Sequence, residues 1–206
     1  MGIYQRLIGP KLIRMACGAG VLARQRQKVV PKAQGVVVEL GVGGGHNLPF
    51  YDRQKVTRLI AVNPPDGHSD PDQLARRADG LSLEFLGESA EALSLETASA
   101  DTVVVTYTLC SIPDVNAALS EARRILKPGG RMHFCEHGRS TNASTARLQE
   151  RLTPLWRPLA CGCHLDRDPI ALLTGTGFAI EHLDQGSLKG VPDVVGFHHV
   201  GTAVSR

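Results

Sequence analysis

Val36-Val37-Val38-Glu39-Leu40-Gly41-Val42-Gly43-Gly44-Gly45-His46-Asn47 is the stretch that decides the fold. Its β-branched run is apolar on both faces, so it reads as a buried parallel strand. The glycines that follow let the chain turn sharply and let backbone N–H groups approach a ligand without Cβ interference. In an open α/β sheet the carboxyl end of such a strand is where ligands sit. The dinucleotide fingerprint G-x-G-x-x-G would start at Gly41 and require glycine at position 46, where this chain has His46. A nicotinamide-dependent oxidoreductase is disfavoured on that ground.

Length and charge bound the rest. The 206 residues suit one α/β domain with a sizeable core. A net charge of +3 implies no general affinity for nucleic acid. The charge is unevenly spread, because residues 1–35 hold Arg6, Lys11, Arg14, Arg24, Arg26, Lys28 and Lys32 and no acid. Ile3, Leu7, Ile8, Leu12, Ile13 and Met15 are interleaved with them. The segment is expected to pack over the domain at 36–206, with its basic face in water. An amphipathic helix on an anionic membrane surface, through residues 1–30, is the alternative. No run reaches the roughly 20 apolar residues of a membrane span, and Arg14 interrupts the only candidate signal region. Five cysteines, an odd number, suit a reducing compartment. The expected location is cytoplasmic, with the inner membrane face as a peripheral alternative.

Strand and helix alternate after the glycine turn. Asn47 to Arg53 is expected to begin the first helix, Arg58 to Val62 forms the second strand, and Asp72 to Ala78 a short helix. Leu81 to Leu86 is a third strand and Asp101 to Thr106 a fourth. Asp114 is placed to cap a helix on which Val115, Leu119, Ala122 and Leu126 recur at helical spacing until Lys127-Pro128-Gly129-Gly130. Arg131 to Glu136 is the fifth strand. Leu148, Leu152, Leu155 and Leu159 continue a helical period, with Pro154 and Pro158 predicting a kink or an end near 153. Phe178 to His182 and Val195 to Val204 are expected to pair antiparallel. The sum is a Rossmann-like, doubly wound seven-stranded sheet with a C-terminal hairpin and an N-terminal helical segment.

Four stretches then carry a resemblance: Glu39-x-Gly41-x-Gly43-x-Gly45, Gly-Glu-Ser-Ala-Glu-Ala-Leu (87–93), Val-Thr-Tyr-Thr-Leu-Cys-Ser-Ile-Pro-Asp (105–114) and Leu-Lys-Pro-Gly-Gly (126–130). In this order they resemble the motifs of class I S-adenosylmethionine-dependent methyltransferases of the ubiquinone-methyltransferase type. Glu136-His137, Gln149, Pro154, Trp156, Gly162-Cys163-x-Leu165-x-Arg167 and His198 before Gly201 are similar to the membrane-associated methyltransferase-like proteins that methylate alkyl thiols. The resemblance implies S-adenosylmethionine as cofactor and a small-molecule methyl acceptor. Gly41, Gly43 and Gly45 would wrap the cofactor's methionine part, with Glu39 beneath them organising the turn and Asn47 among the cofactor-binding residues. Asn63 stands where the family usually has the acid that binds the ribose, and lacks a carboxylate's charge-assisted hydrogen bonds. Ser89 and Ala90 match the loop that meets adenine, and Thr106 and Leu109 the strand end beside the sulfonium.

The acceptor pocket is expected around Cys110, Trp156, Cys163 and His164. Cys110 reads equally well as a small apolar filler. For a thiol acceptor the reactive form is the thiolate; His137 or His198 would take the proton and Arg167 would favour the anion. His198 and His199 are neighbours on a strand and point to opposite faces, so one of them is expected to face solvent. Cys161-Gly162-Cys163-His164 has no second cysteine or histidine pair at the usual zinc spacing, so no metal is expected. The expected reaction is S-methylation of small thiols. C- or O-methylation of a quinone-like or lipid acceptor, and a non-catalytic cofactor-binding protein, are the alternatives.

Overall fold

The glycine-turn strand, β1 (Gly35–Leu40), is an interior strand, third across a seven-stranded sheet. The computed structural model describes Gly9, Met15 and residues 17–65 and 69–205. Ile3, Leu7, Ile8, Leu12, Ile13, Arg6, Lys11 and Arg14 of the basic segment lie outside the described residues. The chain then runs through α1 (Gly20–Arg26), β1, β2 (Val56–Val62), α2 (Pro71–Ala78), β3 (Leu83–Leu86), β4 (Ala100–Thr106), α3 (Val115–Ile125) and β5 (Leu126–His137). It continues through α4 (Ala143–Leu159), α5 (Pro169–Gly175), β6 (Phe178–Ser187), α6 (Asp193–Gly196) and β7 (Phe197–Ser205). The strand order is β3-β2-β1-β4-β5-β7-β6.

Strands β1 to β5 pair in parallel, whereas β7 is antiparallel to both β5 and β6. The expected hairpin is therefore present. Side-chain alternation divides the core into two layers. Val38, Val103, Val105 and Phe134 face Leu119, Ile125 and Leu173 of α3 and α5. Val37, Val104 and Cys135 face the other way, toward Val29, Val30 and Leu74. Chain order reverses between β1 and β4, which puts the switch-point crevice at the carboxyl ends of these two strands.

Several boundaries differ from the sequence reading. The helix expected from Asn47 to Arg53 is a single 3-10 turn, Leu48–Phe50. Tyr51 is extended there, with its hydroxyl bonded to Glu39, and this ends the turn. Helix α3 stops at Ile125, and Leu126 to Gly130 already belong to β5. Leu126 is buried against the sheet in register with Ala100, and Lys127 reaches Asp101 at 2.7 Å. Helix α4 runs through Pro154 and Pro158 instead of ending near 153. Both prolines are exposed, so the carbonyls deprived of a helical N–H can turn to water.

One buried side chain fastens α4 to the sheet edge. The Gln149 amide donates to the carbonyls of Gly138 (3.0 Å) and Val194 (3.2 Å), and its oxygen accepts from the Ser140 N–H (2.8 Å). Gln149→Ala would leave these backbone groups without partners at a cost of about 1–3 kcal/mol each. Urea denaturation should show a loss of about 3 kcal/mol or more; a loss below about 1 kcal/mol would contradict this role.

Candidate active site

Each glycine at the end of β1 has its own reason. Gly41 sits at φ +76°, and a Cβ there would fall 2.4 Å from the Thr108 side chain. At Gly45 (φ +70°) a Cβ would meet Leu48 and Leu74 at 2.8 Å. Gly43 (φ +49°) differs, because the nearest atom to its would-be Cβ is 3.9 Å away. That open side is the cradle a ligand can enter. The Val62 carbonyl accepts from the N–H groups of Gly41 (2.9 Å) and Val42 (3.1 Å). Asn63 Oδ1 accepts from the Gly43 N–H at 3.3 Å, the Ser69 hydroxyl donates to the Gly43 carbonyl at 3.0 Å, and Arg77 of α2 donates to the Gly44 carbonyl.

Beneath the turn, Glu39 is buried between two donors. The Tyr51 hydroxyl donates at 2.7 Å and the Asn47 amide at 3.0 Å, and the same amide lies 3.0 Å from Thr106 Oγ1. Burial pushes the Glu39 carboxyl up to about 7, against the lowering effect of both donors and of the Arg26 charge. Arg26 enters from α1, with its guanidinium 4.6 Å over the Tyr107 ring and Nη1 donating to the Cys17 carbonyl at 2.7 Å. A Cβ on Gly18 would stand 3.0 Å from His46, so the segment before α1 lies against the glycine turn. Across the crevice, Ser89 bonds Glu91 at 2.8 Å, and Ala90 and Leu109 are buried.

The carboxyl ends of β4 and β5 form the other half of the site. Glu136 Oε1 accepts from the N–H groups of Thr108 (2.8 Å) and Leu109 (3.2 Å), while Oε2 is buried with no partner among the described residues. Burial raises this carboxyl to about 7 as well. Arg167 Nη1 donates to the carbonyls of Leu109 (2.6 Å) and Ile112 (2.7 Å). The guanidinium thus holds the loop after β4, which makes Arg167 a positioning residue.

Cys163 follows a sharp turn at Cys161 (φ +50°) and Gly162 (φ +88°), and the His164 N–H donates to the Cys110 carbonyl at 2.8 Å. The Cys163 sulfur lies 3.1 Å from His137 Nε2 and 3.3 Å from Trp156 Nε1. Cys110, His137 and the Trp156 N–H together hold the Cys163 thiol well below its ordinary range. The His164 ring is turned to Asp166, 3.7 Å away.

The expectation that His198 or His199 faces solvent is corrected, since they are 3% and 2% exposed. Strand β7 is flanked by β5 and β6, and both of its faces are covered. His199 is spent on Gln185 (2.8 Å) and the Arg139 carbonyl (3.0 Å). His198 Nδ1 bonds the Gly196 carbonyl at 2.8 Å, which assigns the proton to Nδ1 and leaves Nε2 a lone pair; Nε2 is buried with no partner among the described residues. Its ring meets Tyr107 edge-on at 5.4 Å and sits opposite His137 in the β5–β7 register.

Sequence reasoning missed Tyr51, Arg26 and Tyr107, and gave no chemical role to Glu136. Only Glu136, an acid in an apolar strand, carried a visible signal.

The raised Glu39 carboxyl gives a test with a definite sign. Its folded pKa of about 7 lies above the ordinary carboxylate value of 4.5. The native state therefore binds the extra proton, and stability falls as pH rises through that window, by about 3 kcal/mol in total. Glu39→Gln removes the titration. Its melting temperature relative to the unmodified protein should improve from pH 5 to pH 8.5, and a difference independent of pH would contradict this.

Comparisons with known proteins bear on the fold and the family. The methyltransferase-domain family profile matches residues 38–134. The chain is 32% identical to the thiol S-methyltransferase TMT1B of Rattus norvegicus, over 82% of this chain and 70% of that protein. It is 43% identical to the ubiquinone/menaquinone biosynthesis C-methyltransferase UbiE of Caulobacter vibrioides, over 69% of this chain and 50% of that protein. A crystal structure of a methyltransferase from Thermotoga maritima superposes with a TM-score of 0.65 at 20% identity, covering 99% of this chain and 98% of that one. The chain belongs to the class I S-adenosylmethionine-dependent methyltransferases, and S-adenosylmethionine is its cofactor.

Proposed function

We propose that the enzyme S-methylates small thiols such as sulfide, methanethiol and other alkyl thiols. One observation carries the reading. At the carboxyl end of β4 the wall is a small cluster of Cys110, Ala160 and Cys163, with Trp156 packed on it. This surround suits a small, soft nucleophile better than a large ring. The relatives named thiol S-methyltransferases, which this chain matches over 70% of their length, support it.

The open side of Gly43 fits a cofactor that needs close backbone approach. Gly41, Gly43, Gly45 and Asn47 would hold its methionine part, Asn63 the ribose, Ser89 and Ala90 the adenine, and Thr106 and Leu109 the sulfonium side. When bound, it supplies an electrophilic methyl group. The chain's own residues hold the acceptor in line with it and exclude water. His198 Nε2 accepts the S–H hydrogen bond, and Arg167 fixes the Leu109–Ile112 loop against which the acceptor rests. The segment within residues 1–35 that carries Gly18 and Arg26 acts as the cover of this site. Among the described residues no helix is long and apolar enough to cross a membrane.

The match to UbiE favours a second reading, C-methylation of a quinone-like acceptor. A panel assay separates the two. Purified protein with the cofactor and a series of thiols should release methyl sulfides into the headspace, and a quinol precursor should remain unmethylated. No methyl sulfide above a heat-killed control would contradict the thiol reading. In calorimetry, Asn63→Asp should tighten cofactor binding about tenfold, because a carboxylate adds charge-assisted bonds to the ribose and keeps the acceptor for Gly43. Unchanged or weaker binding would place the ribose elsewhere.

A further inference from the structure

In sequence, Cys161, Cys163 and His164 are crowded together, but the fold separates them. Cys161 is exposed and His164 turns to Asp166. Cys163 meets instead two residues distant in the chain, Cys110 beyond β4 and His137 at the end of β5. One ligand atom from each of the three lies within 4.8 Å of the other two, and His137 Nε2 is 3.1 Å from the Cys163 sulfur. We propose that Cys110, His137 and Cys163 form a three-ligand zinc site whose fourth position takes the acceptor sulfur.

The donor set is the one zinc prefers, two sulfurs and an imidazole nitrogen. With Zn–S near 2.3 Å and Zn–N near 2.0–2.1 Å, tetrahedral neighbours stand about 3.6 Å apart. The cluster reaches that spacing with shifts of about an ångström or less. The surroundings are built to hold it. The Trp156 N–H points at the Cys163 sulfur from 3.3 Å, as outer partners of metal thiolates do. The Cys110 carbonyl ties down the loop that presents Cys163, and the strained turn at Cys161 and Gly162 aims it. Three protein ligands and a free position are the pattern of a catalytic zinc centre rather than a structural one.

The fourth-position role rests on the thiol reading above. A thiol entering there passes its proton by way of His198 Nε2 to solvent and displaces the metal-bound water as a thiolate. Its sulfur then forms the new bond to the methyl carbon. The carbon–sulfonium bond breaks, with its electron pair kept by the departing sulfur. The thioether product has lost its negative charge and leaves the metal readily.

The test uses the full chain, purified reduced and stripped with a chelator. Metal analysis after zinc is restored should find one zinc per chain. Cobalt(II) in its place should show the thiolate charge-transfer and tetrahedral visible bands, and methanethiol should shift these bands while methanol does not. Cys163→Ser or His137→Ala should weaken zinc binding by on the order of 100-fold or more, since loss of an outer partner alone costs 10–100-fold. Cys161→Ser should bind as before. Cys17 is near enough to Cys163 for their charges to interact. Loss of zinc in Cys17→Ser would make the site closed and overturn the open position. Absence of zinc binding, binding indifferent to Cys163→Ser, or cobalt bands that methanethiol leaves unmoved would also overturn the proposal. Zinc-free protein that methylates thiols at full rate would overturn the metal and leave the thiol reading standing. Bands shifted by methanethiol with no methyl sulfide formed would leave the metal and remove the thiol reading.

Discussion

A carboxyl group buried under the glycine turn is the constraint on which the rest of the structure depends. Glu39, next to last on β1, has no access to water, and its two oxygens are met by Tyr51 and Asn47. Burial of a carboxyl group is costly unless its hydrogen bonds are made. The chain after the turn must therefore come back to supply them, which is why a single 3-10 turn stands where a longer helix was expected. Asn47 also reaches Thr106, so the same contact joins the ends of β1 and β4. These are the two strands between which the fold opens its crevice. The glycines at 41 and 45 then have no alternative, since Thr108, Leu48 and Leu74 occupy the space any side chain would need.

The second half of the site repeats this device with other residues. Glu136 is next to last on β5 as Glu39 is on β1, buried, raised to about 7 and holding backbone N–H groups of the neighbouring loop. Arg167 grips the same loop by its carbonyls. The Thr108–Ile112 segment is thereby fixed from both sides, and Cys110 with it. Two buried acids set the positions of the two walls: one lies under the glycine turn, the other beside the cluster of Cys110, His137 and Cys163.

Legibility in the sequence followed local patterning. The β-branched runs at 36–38 and 103–105 announced buried parallel strands, and the His46 substitution separated this turn from a dinucleotide fingerprint. Asp114 as a cap was equally visible, because an N-cap acts within three residues; its side chain accepts from the Ala117 N–H. What could not be read was set by partners far along the chain. Pro154 and Pro158 looked like helix breakers, but each falls on a face where broken hydrogen bonds meet solvent. His198 and His199 looked like an inward and outward pair, yet both are enclosed, because Tyr107 packs on His198 while Gln185 and the Arg139 carbonyl take up His199. Cys163 drew attention for its neighbours in sequence, whereas its contacts are 26 residues away at His137 and across the loop at Cys110. Tyr51 and Arg26 gave no local signal at all.

The account stands or falls on sulfur receiving the methyl group at this edge of the sheet. The most direct measurement supplies the enzyme with S-adenosylmethionine trideuterated on its methyl group, together with methanethiol, and follows both products by mass spectrometry. The account predicts dimethyl sulfide carrying one trideuteromethyl group, formed mole for mole with S-adenosylhomocysteine. Unconsumed cofactor, or label that leaves the cofactor without appearing on the thiol sulfur, would contradict it.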